Sequence, residues 1–294
     1  MTGEALTGLA VVDKEPGWTS HDVVARCRRL FGQRRVGHAG TLDPDATGVL
    51  LVGVGRATRL LRFLTALPKT YEAEVVLGLT TTTLDASGEV TGTWDMSAVT
   101  LEAARRAAAE LTGPILQVPP MVSALKVNGT RLHALARAGV EVERAARPVT
   151  VHRFEVDPTP EAGVLRIEVE CSSGTYVRVL AADLGTILGG GAHLRALRRT
   201  RIGSFGVDDA RRVDELTAAA VLTTAQAMRD LPQVEVGSDV AKLVRRGLAL
   251  DRVPLGAVGE GPWGIVDQEH NLLAVYERTA TDRIRPAVVL VGGS

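Results

Sequence analysis

Only two cysteines, Cys27 and Cys171, occur in 294 residues, and they share no paired spacing. A disulfide framework is thereby excluded, and a reducing compartment is the expected setting. No Cys/His cluster has zinc spacing, and none of the six histidines forms an i, i+4 pair around a glutamate. No metal centre is expected. Long apolar runs are missing as well: none approaches the ~20 residues that a membrane-spanning helix needs. The opening MTGEALTGLAVVDKE has no basic n-region, so the expected location is cytoplasmic, with no membrane partner. Charge of one sign is not in excess, with 34 basic and 34 acidic residues. The bulk balance therefore gives no hint of a polyanionic partner.

What is present is enough apolar sequence, 45%, to bury the core of one large domain or two. The charges are also unevenly placed. Between His21 and Lys69, eight arginines and one lysine face only Asp22, Asp43 and Asp45. A second stretch, HLRALRRTRIG, carries Arg195, Arg198, Arg199 and Arg201 with no acid. Such runs read either as a solvated face or as the footprint of a nucleic acid.

Periodicity sets the expected elements. LAVVDKEPGWTSHDVV reads as a strand ending at Lys14, a Pro-Gly turn, and a helix capped by Thr19 or Ser20. GVLLVGVG reads as a buried strand, and RATRLLRFLTAL has helical spacing. In TYEAEVVLG, Tyr71, Ala73, Val75 and Leu77 share one strand face, which turns Tyr71 inward. MSAVTLEAARRAAAELTG is an amphipathic helix stopped at Gly113-Pro114. VLRIEVEC alternates, and SSGTYVRVLAADLG should open a helix capped by Ser173 or Thr175 and ended by Gly185. The Ala-rich stretch from Asp214 to Asp230 reads as helix. From Gln233 onward, short strand-like pieces and one helix near Asp239 to Arg246 suggest a small separate β-rich module. Strands separated by helices and hairpins predict an α+β fold with a mixed, largely antiparallel sheet.

HAGTLDPDATG, residues 38–48, is the most unusual stretch. Proline at 44 disfavours the helical region for Asp43, which places a fixed carboxylate in a loop. Asp43, Asp45, Thr47 and Gly48 match the start of a calcium loop, but the twelfth position is Val54 and not a glutamate, which removes that reading. GVGRAT starts like a dinucleotide fingerprint, yet Thr58 stands where the third glycine belongs. Taken singly, Asp43 is a turn residue and Tyr71 a core tyrosine. Arg178 near a helix start is disfavoured by the dipole and needs a carboxylate partner.

Taken together, VVDKEPGWTSHDVV, RRVGHAGTLDPDATGVLLVGVGRATRL, KTYEAEVVLG, PPMVSALKVNG, CSSGTYVRVLAADLG and GAHLRALRRTRIGSF resemble, in order and spacing, the bacterial TruB-type tRNA pseudouridine synthases. The resemblance covers about residues 9–206. It implies the pseudouridine synthase fold over 1–232, with an RNA-clamping insertion at about 119–150. Residues 233–294 are similar to a PUA-like RNA-binding module. It also implies an isomerase that converts uridine 55 in the T-arm of tRNA to pseudouridine, with no metal, no organic cofactor and no obligatory protein partner.

By the same resemblance Asp43 is the catalytic carboxylate, and Tyr71 stacks on the base and helps remove its C5 proton. Arg178 pairs with Asp43, keeping it oriented and ionised, since a neighbouring cation lowers an Asp pKa by roughly 1–3 units. Tyr176 walls the pocket, His38 helps rearrange the T-loop, and Lys14 and Lys126 line the cleft. Arg34, Arg35, Arg198 and Arg199 would meet the RNA backbone. The chain departs from the family at Lys14-Glu15-Pro16-Gly17, where Lys-Pro-x-Gly is usual, at Val122 in place of tyrosine, and at Thr82 in place of aspartate. The alternative is a non-catalytic RNA-binding or tRNA-folding protein that keeps the pocket.

Overall fold

Alternating side chains build the centre of the molecule. In Lys69–Leu77, Ala73 and Val75 are buried while the residues between them face outward, and Val164–Cys171 repeats the pattern through Leu165, Ile167, Val169 and Cys171. Such strands bury one face and leave the other for solvent. The computed structural model describes residues 6–123, 126–127, 130–131 and 142–290. They form a ten-stranded sheet whose main path runs Arg211–Arg212, Gly8–Lys14, Thr47–Val54, Ala192–Ile202, Lys69–Leu77, Val164–Cys171, Arg147–Pro158 and Gly113–Gln117. Val36–Ala39 and Phe205–Gly206 pair beside that path. Two of its contacts are parallel, Gly8–Lys14 with Arg211–Arg212 and Thr47–Val54 with Ala192–Ile202. The others are antiparallel, as the alternation predicts.

Helices cover the sheet. Leu101–Glu110 and Val177–Ile187 share a core with the central strands through Ala104, Ala108, Leu180 and Leu184. Ser20–Leu30 packs Val23, Val24 and Cys27 on Ala10, Val12, Leu50 and Val52. Its N-cap is Thr19, closed by a capping box with Asp22. Ser20 is thus free for a different task, described below. No helix among the described residues is long and apolar enough to cross a membrane.

Three expected elements differ. The stretch from 214 to 230 is not one helix but 3-10 turns at Val213–Glu215 and Ala218–Ala220, followed by Thr224–Ala227. Leu222 exchanges both backbone hydrogen bonds with Leu9, at 2.9 Å each, which draws the chain out of a helical path. RATRLLRFLTAL is helical only from Leu61 to Ala66, after a 3-10 turn at Gly55–Leu60. The Val177–Ile187 helix runs through Gly185 instead of ending there. A Cβ at 185 would lie 2.4 Å from the Ala192 nitrogen, so that glycine serves close packing and not termination.

The last part of the chain is a five-stranded sheet, ordered Gln233–Glu235, Trp263–Val266, Leu272–Arg278, Arg283–Val289 and Leu250–Asp251, with the helix Ser238–Arg245 upon it. It has its own core around Trp263, Ile265 and Tyr276. It is nevertheless not separate in packing. Val266, Leu272, Val275, Val288 and Leu290 join Leu9, Val11, Phe63, Leu64 and Phe205 in one apolar cluster. Arg56 and Arg59 donate to the carbonyls of Leu290 and Val289 at 2.9 and 2.6 Å, and Arg62 pairs with Glu277 at 3.0 Å.

Candidate active site

Strand register brings the site together. Val36–Ala39 and Thr47–Val54 pair antiparallel, His38 opposite Val52, so residues 40–46 form the loop joining two neighbouring strands. Thr47–Val54 lies beside Ala192–Ile202 with Gly48 opposite Arg199, and Arg199 is in turn opposite Tyr71 on Lys69–Leu77. Gly48 has φ +99°, and a Cβ there would sit 2.2 Å from the Arg199 carbonyl oxygen. Only glycine allows the loop root to approach that strand so closely.

Buried polar side chains then hold the loop. Lys14 is 1% exposed, and its Nζ donates to the carbonyls of Glu15, Trp18 and Pro44 at 2.9, 2.7 and 2.8 Å. Burial lowers its pKa to about 8, against the pull of Asp45 and Asp43. Lys14 therefore braces the residue after Asp43 from beneath instead of lining the cleft as expected. Ser20 Oγ donates to Leu42 O at 3.1 Å and accepts Leu42 N–H at 2.9 Å, fixing the residue before Asp43. Arg199, 1% exposed, donates from Nε to Val49 O at 2.8 Å and from Nη2 to Gly40 O at 3.0 Å.

Arg199 is thus an interior brace across the loop's two ends, and its expected contact with an RNA backbone is corrected. The basic run is divided between surface and interior: Arg195 and Arg201 are exposed and Arg198 half-buried, while Arg199 alone is turned inward, on a strand whose register shifts on either side of it. Arg198 holds Asp13 in a fork, at 3.0 and 2.8 Å. Arg195 is taken by Glu74 and Glu161 at 2.9 and 2.6 Å. Arg34 and Arg35, by contrast, are exposed and join no ion pair among the described residues.

Arg178 closes the site from the other side. It is the second residue of Val177–Ile187, and its side chain is 5% exposed. Nη2 meets Asp43 Oδ2 at 3.1 Å and Val122 O at 2.9 Å; Nη1 meets Asp85 Oδ2 at 3.4 Å and Thr83 O at 3.1 Å. Two carboxylates thus offset a cation placed where the helix dipole opposes it. Asp85 was not singled out in the sequence, although it is the one acid between Glu74 and Glu89 and lies in a turn-forming run, TTTTLDASG. Thr83 Oγ1 and Ser87 Oγ both donate to its Oδ1 at 2.6 Å.

Asp43 itself keeps 46% of its side-chain surface. Burial pushes its carboxyl above the ordinary range; Arg178 works against that rise and Asp85 adds to it. Arg178 pulls the carboxyl down as expected, but the expectation of a low net value is corrected, because burial outweighs that pull and Asp85 adds to the rise. Burial raises the Tyr71 phenol above its ordinary value, with the neighbouring Arg199 working against that rise, so it is a neutral phenol at pH 7. His38 is held down to about 4 by burial, with His21 and Arg199 adding to the effect. Its ring lies edge-on to His21, centroids 5.3 Å apart, and its buried Nδ1 has no hydrogen-bond partner among the described residues.

Neither Ser173 nor Thr175 caps the helix: the N-cap is Tyr176, while Ser173 Oγ and Thr175 Oγ1 donate to Thr65 O and Ser172 O. Lys126 pairs in backbone register with Arg131, and its side chain lies outside the described residues, as does Arg137. Asp43 and Arg178 stand where two cavities meet. One, of about 240 Å³, is lined by Tyr71, Tyr176, Lys69, Arg199 and Leu197. The other, of about 750 Å³, is lined by His21, Asp45, Asp85, Ser87 and Arg195. Among the described residues no group of three or more His, Cys, Asp or Glu is placed to hold a metal ion.

Comparison with known proteins gives one answer. Residues 28–177 match the TruB family pseudouridylate synthase N-terminal domain, and 178–247 match the tRNA pseudouridylate synthase B C-terminal domain. A tRNA pseudouridine synthase B of Arthrobacter sp. (strain FB24) is 53% identical over 249 residues, 82% of this chain and 81% of the relative. One from Rhodococcus jostii (strain RHA1) is 47% identical, covering 96% of this chain and 95% of the relative. Among solved structures, a Cbf5–Nop10–Gar1 complex is similar with a TM-score of 0.75 at 26% identity, over 98% of this chain and 86% of the other.

Proposed function

Because this chain belongs to the TruB family and is a tRNA pseudouridine synthase, we propose that its target is uridine 55 in the T-arm and that Asp43 is the catalytic carboxylate. The observation that carries this reading is the 3.1 Å ion pair of Asp43 with Arg178 at the junction of the two cavities. The smaller cavity takes the extruded uracil against Tyr71 and Tyr176. The larger takes the nucleotides next to it. Extrusion costs roughly a few kcal/mol, which stacking and edge hydrogen bonds in the pocket offset.

Cleavage of the C1′–N1 bond leaves positive charge at C1′. The Asp43 carboxylate answers it, covalently or by assisting elimination from C2′. The freed base turns, C5 bonds to C1′, and the C5 proton leaves. Bonds are exchanged within one nucleoside with no net oxidation, so the chemistry itself calls for no redox group. Tyr71, as a neutral phenol, acts by stacking and by offering its hydroxyl oxygen near C5. His38, neutral at pH 7, is suited to occupy the space that the uridine leaves in the T-loop.

Residues 1–232 form the catalytic part in this reading, 119–150 the RNA-clamping insertion, and 233–294 a PUA-like RNA-binding module. The chain works without an obligatory protein partner. The test is tritium release to water by the purified protein alone, from T-arm stem-loops tritiated at C5 of uridine 55 only or of uridine 54 only. Release from the first and not the second, abolished in Asp43→Asn by at least about 10⁴-fold, is the expected result. Equal release from both, or an Asp43→Asn variant at the parent rate, rejects the assignment.

A further inference from the structure

Arg178 and Tyr176 are presented by one turn of chain, and that turn is fixed from outside itself. It enters the Val177–Ile187 helix at Tyr176, with φ −102° and ψ 107°, and no side chain of the turn caps the helix. The first N–H groups of a helix lack intrahelical partners and must find others. The Tyr176 N–H finds its partner on the edge of the sheet. Gln117, last residue of Gly113–Gln117, is 2% exposed. Its Oε1 accepts Tyr176 N–H at 2.9 Å, and its Nε2 donates to Tyr176 O at 3.3 Å. One side-chain amide thus makes the two hydrogen bonds that a neighbouring strand residue would make. Bonded at both ends, it has a single orientation, and so does the peptide it holds.

The same segment also grips the far end of Arg178. Five residues beyond Gln117, the Val122 carbonyl accepts Arg178 Nη2 at 2.9 Å. Pro119 and Pro120, both buried, lie between the two contacts, and their locked φ leaves that stretch little freedom to swing. Gln117 itself lines neither cavity, so it acts on the reacting groups only through Tyr176 and Arg178. The geometry points to Gln117 as a positioning residue for the isomerisation: its amide fixes the Tyr176 peptide and, with it, the place from which Arg178 reaches Asp43. The inference rests on the reading of Asp43 and Arg178 as the reacting pair.

The test is single-turnover tritium release at saturating stem-loop for Gln117→Ala and Gln117→Glu, beside the parent and Asp43→Asn. Stem-loop affinity and thermal unfolding are measured on each protein. Small misplacements of reacting groups reach rates about 10²-fold. Gln117→Ala should therefore slow release about 10- to 100-fold while binding the stem-loop within about threefold of the parent. Gln117→Glu supplies a readout that a merely structural role would not move. Protonated, it accepts Tyr176 N–H and donates to Tyr176 O as the amide does; ionised, it meets that carbonyl with no proton. Since burial raises a carboxyl pKa, the ratio of its rate to the parent's should rise as pH falls from about 8.5 to about 6.5.

Gln117→Ala at the parent rate, with Asp43→Asn inactive, overturns the role of Gln117 alone. Release by Asp43→Asn overturns the underlying reading. If Gln117→Ala fails to fold, the Gln117→Glu ratio decides, and a ratio flat in pH overturns the proposal.

Discussion

Two regions of this protein each bury an arginine, and they use it in opposite ways. At the start of Val177–Ile187, Arg178 faces two carboxylates, one of them half exposed at the meeting of two cavities. In the middle of Ala192–Ile202, Arg199 faces the Val49 and Gly40 carbonyls and lies opposite Tyr71 on the next strand, with no ion pair to a carboxylate among the described residues. Burying a charge is costly in both places unless its donors are satisfied. What differs is the partner. Carbonyls and a neutral phenol keep one charge state at any working pH, so Arg199 is a fixed brace. Carboxylates can change theirs, so the Arg178 cluster is a place where charge can be redistributed during a reaction.

The sharpest way to break this contrast is to keep the charge and remove the fork. Arg178→Lys cannot serve Asp43, Asp85 and two carbonyls at once. Tritium release should fall by about 10²-fold or more, with stem-loop affinity nearly unchanged. A rate within a few-fold of the parent would make Arg178 a brace like Arg199. Arg199→Met should give the reverse balance. It leaves two carbonyls unanswered, and each lost partner costs about 1–3 kcal/mol, read as a lower midpoint in urea. At temperatures where the variant stays folded, its rate should exceed that of Arg178→Lys.

Outside both regions the effects should be smallest. Exposed Arg34 and Arg35, each changed to alanine, should leave the rate at saturating RNA unaltered. Each should flatten the plot of log affinity against log salt by about 0.7 to 0.9 if it meets one phosphate. An unchanged slope would remove them from the RNA interface.

These contrasts were only partly legible in the sequence. Alternation placed Tyr71 on the inward face of its strand because the strand buries one side only. Arg178 near a helix start announced a missing carboxylate because the dipole makes an unpaired cation there unfavourable. Asp85 was hidden: its closeness to Arg178 comes from the 82–89 loop meeting Leu194 by backbone bonds, a contact across more than a hundred residues. Arg199 was misplaced because a run of positive residues reads as surface, and Lys14 because the resemblance puts it in the cleft. Strand register and three waiting carbonyls, which periodicity cannot show, turn these two inward. The alanines of 218–220 misled for a similar reason, since pairing of Leu222 with Leu9 overrides helix propensity.

The central claim is that Asp43 does the chemistry within a charge cluster shared by Arg178 and Asp85. The pH dependence of single-turnover tritium release at saturating stem-loop tests it most directly, in the parent and in Asp85→Asn. An ionised Asp43 is required, and burial together with Asp85 pushes its carboxyl upward. The parent should therefore lose activity on the acid side at a pH above the ordinary aspartate value of about 3.9. Asp85→Asn removes one cause of the rise and leaves Arg178 to Asp43 alone, so the acid limb should move to lower pH. An acid limb that stays in place, or moves upward, would contradict the account.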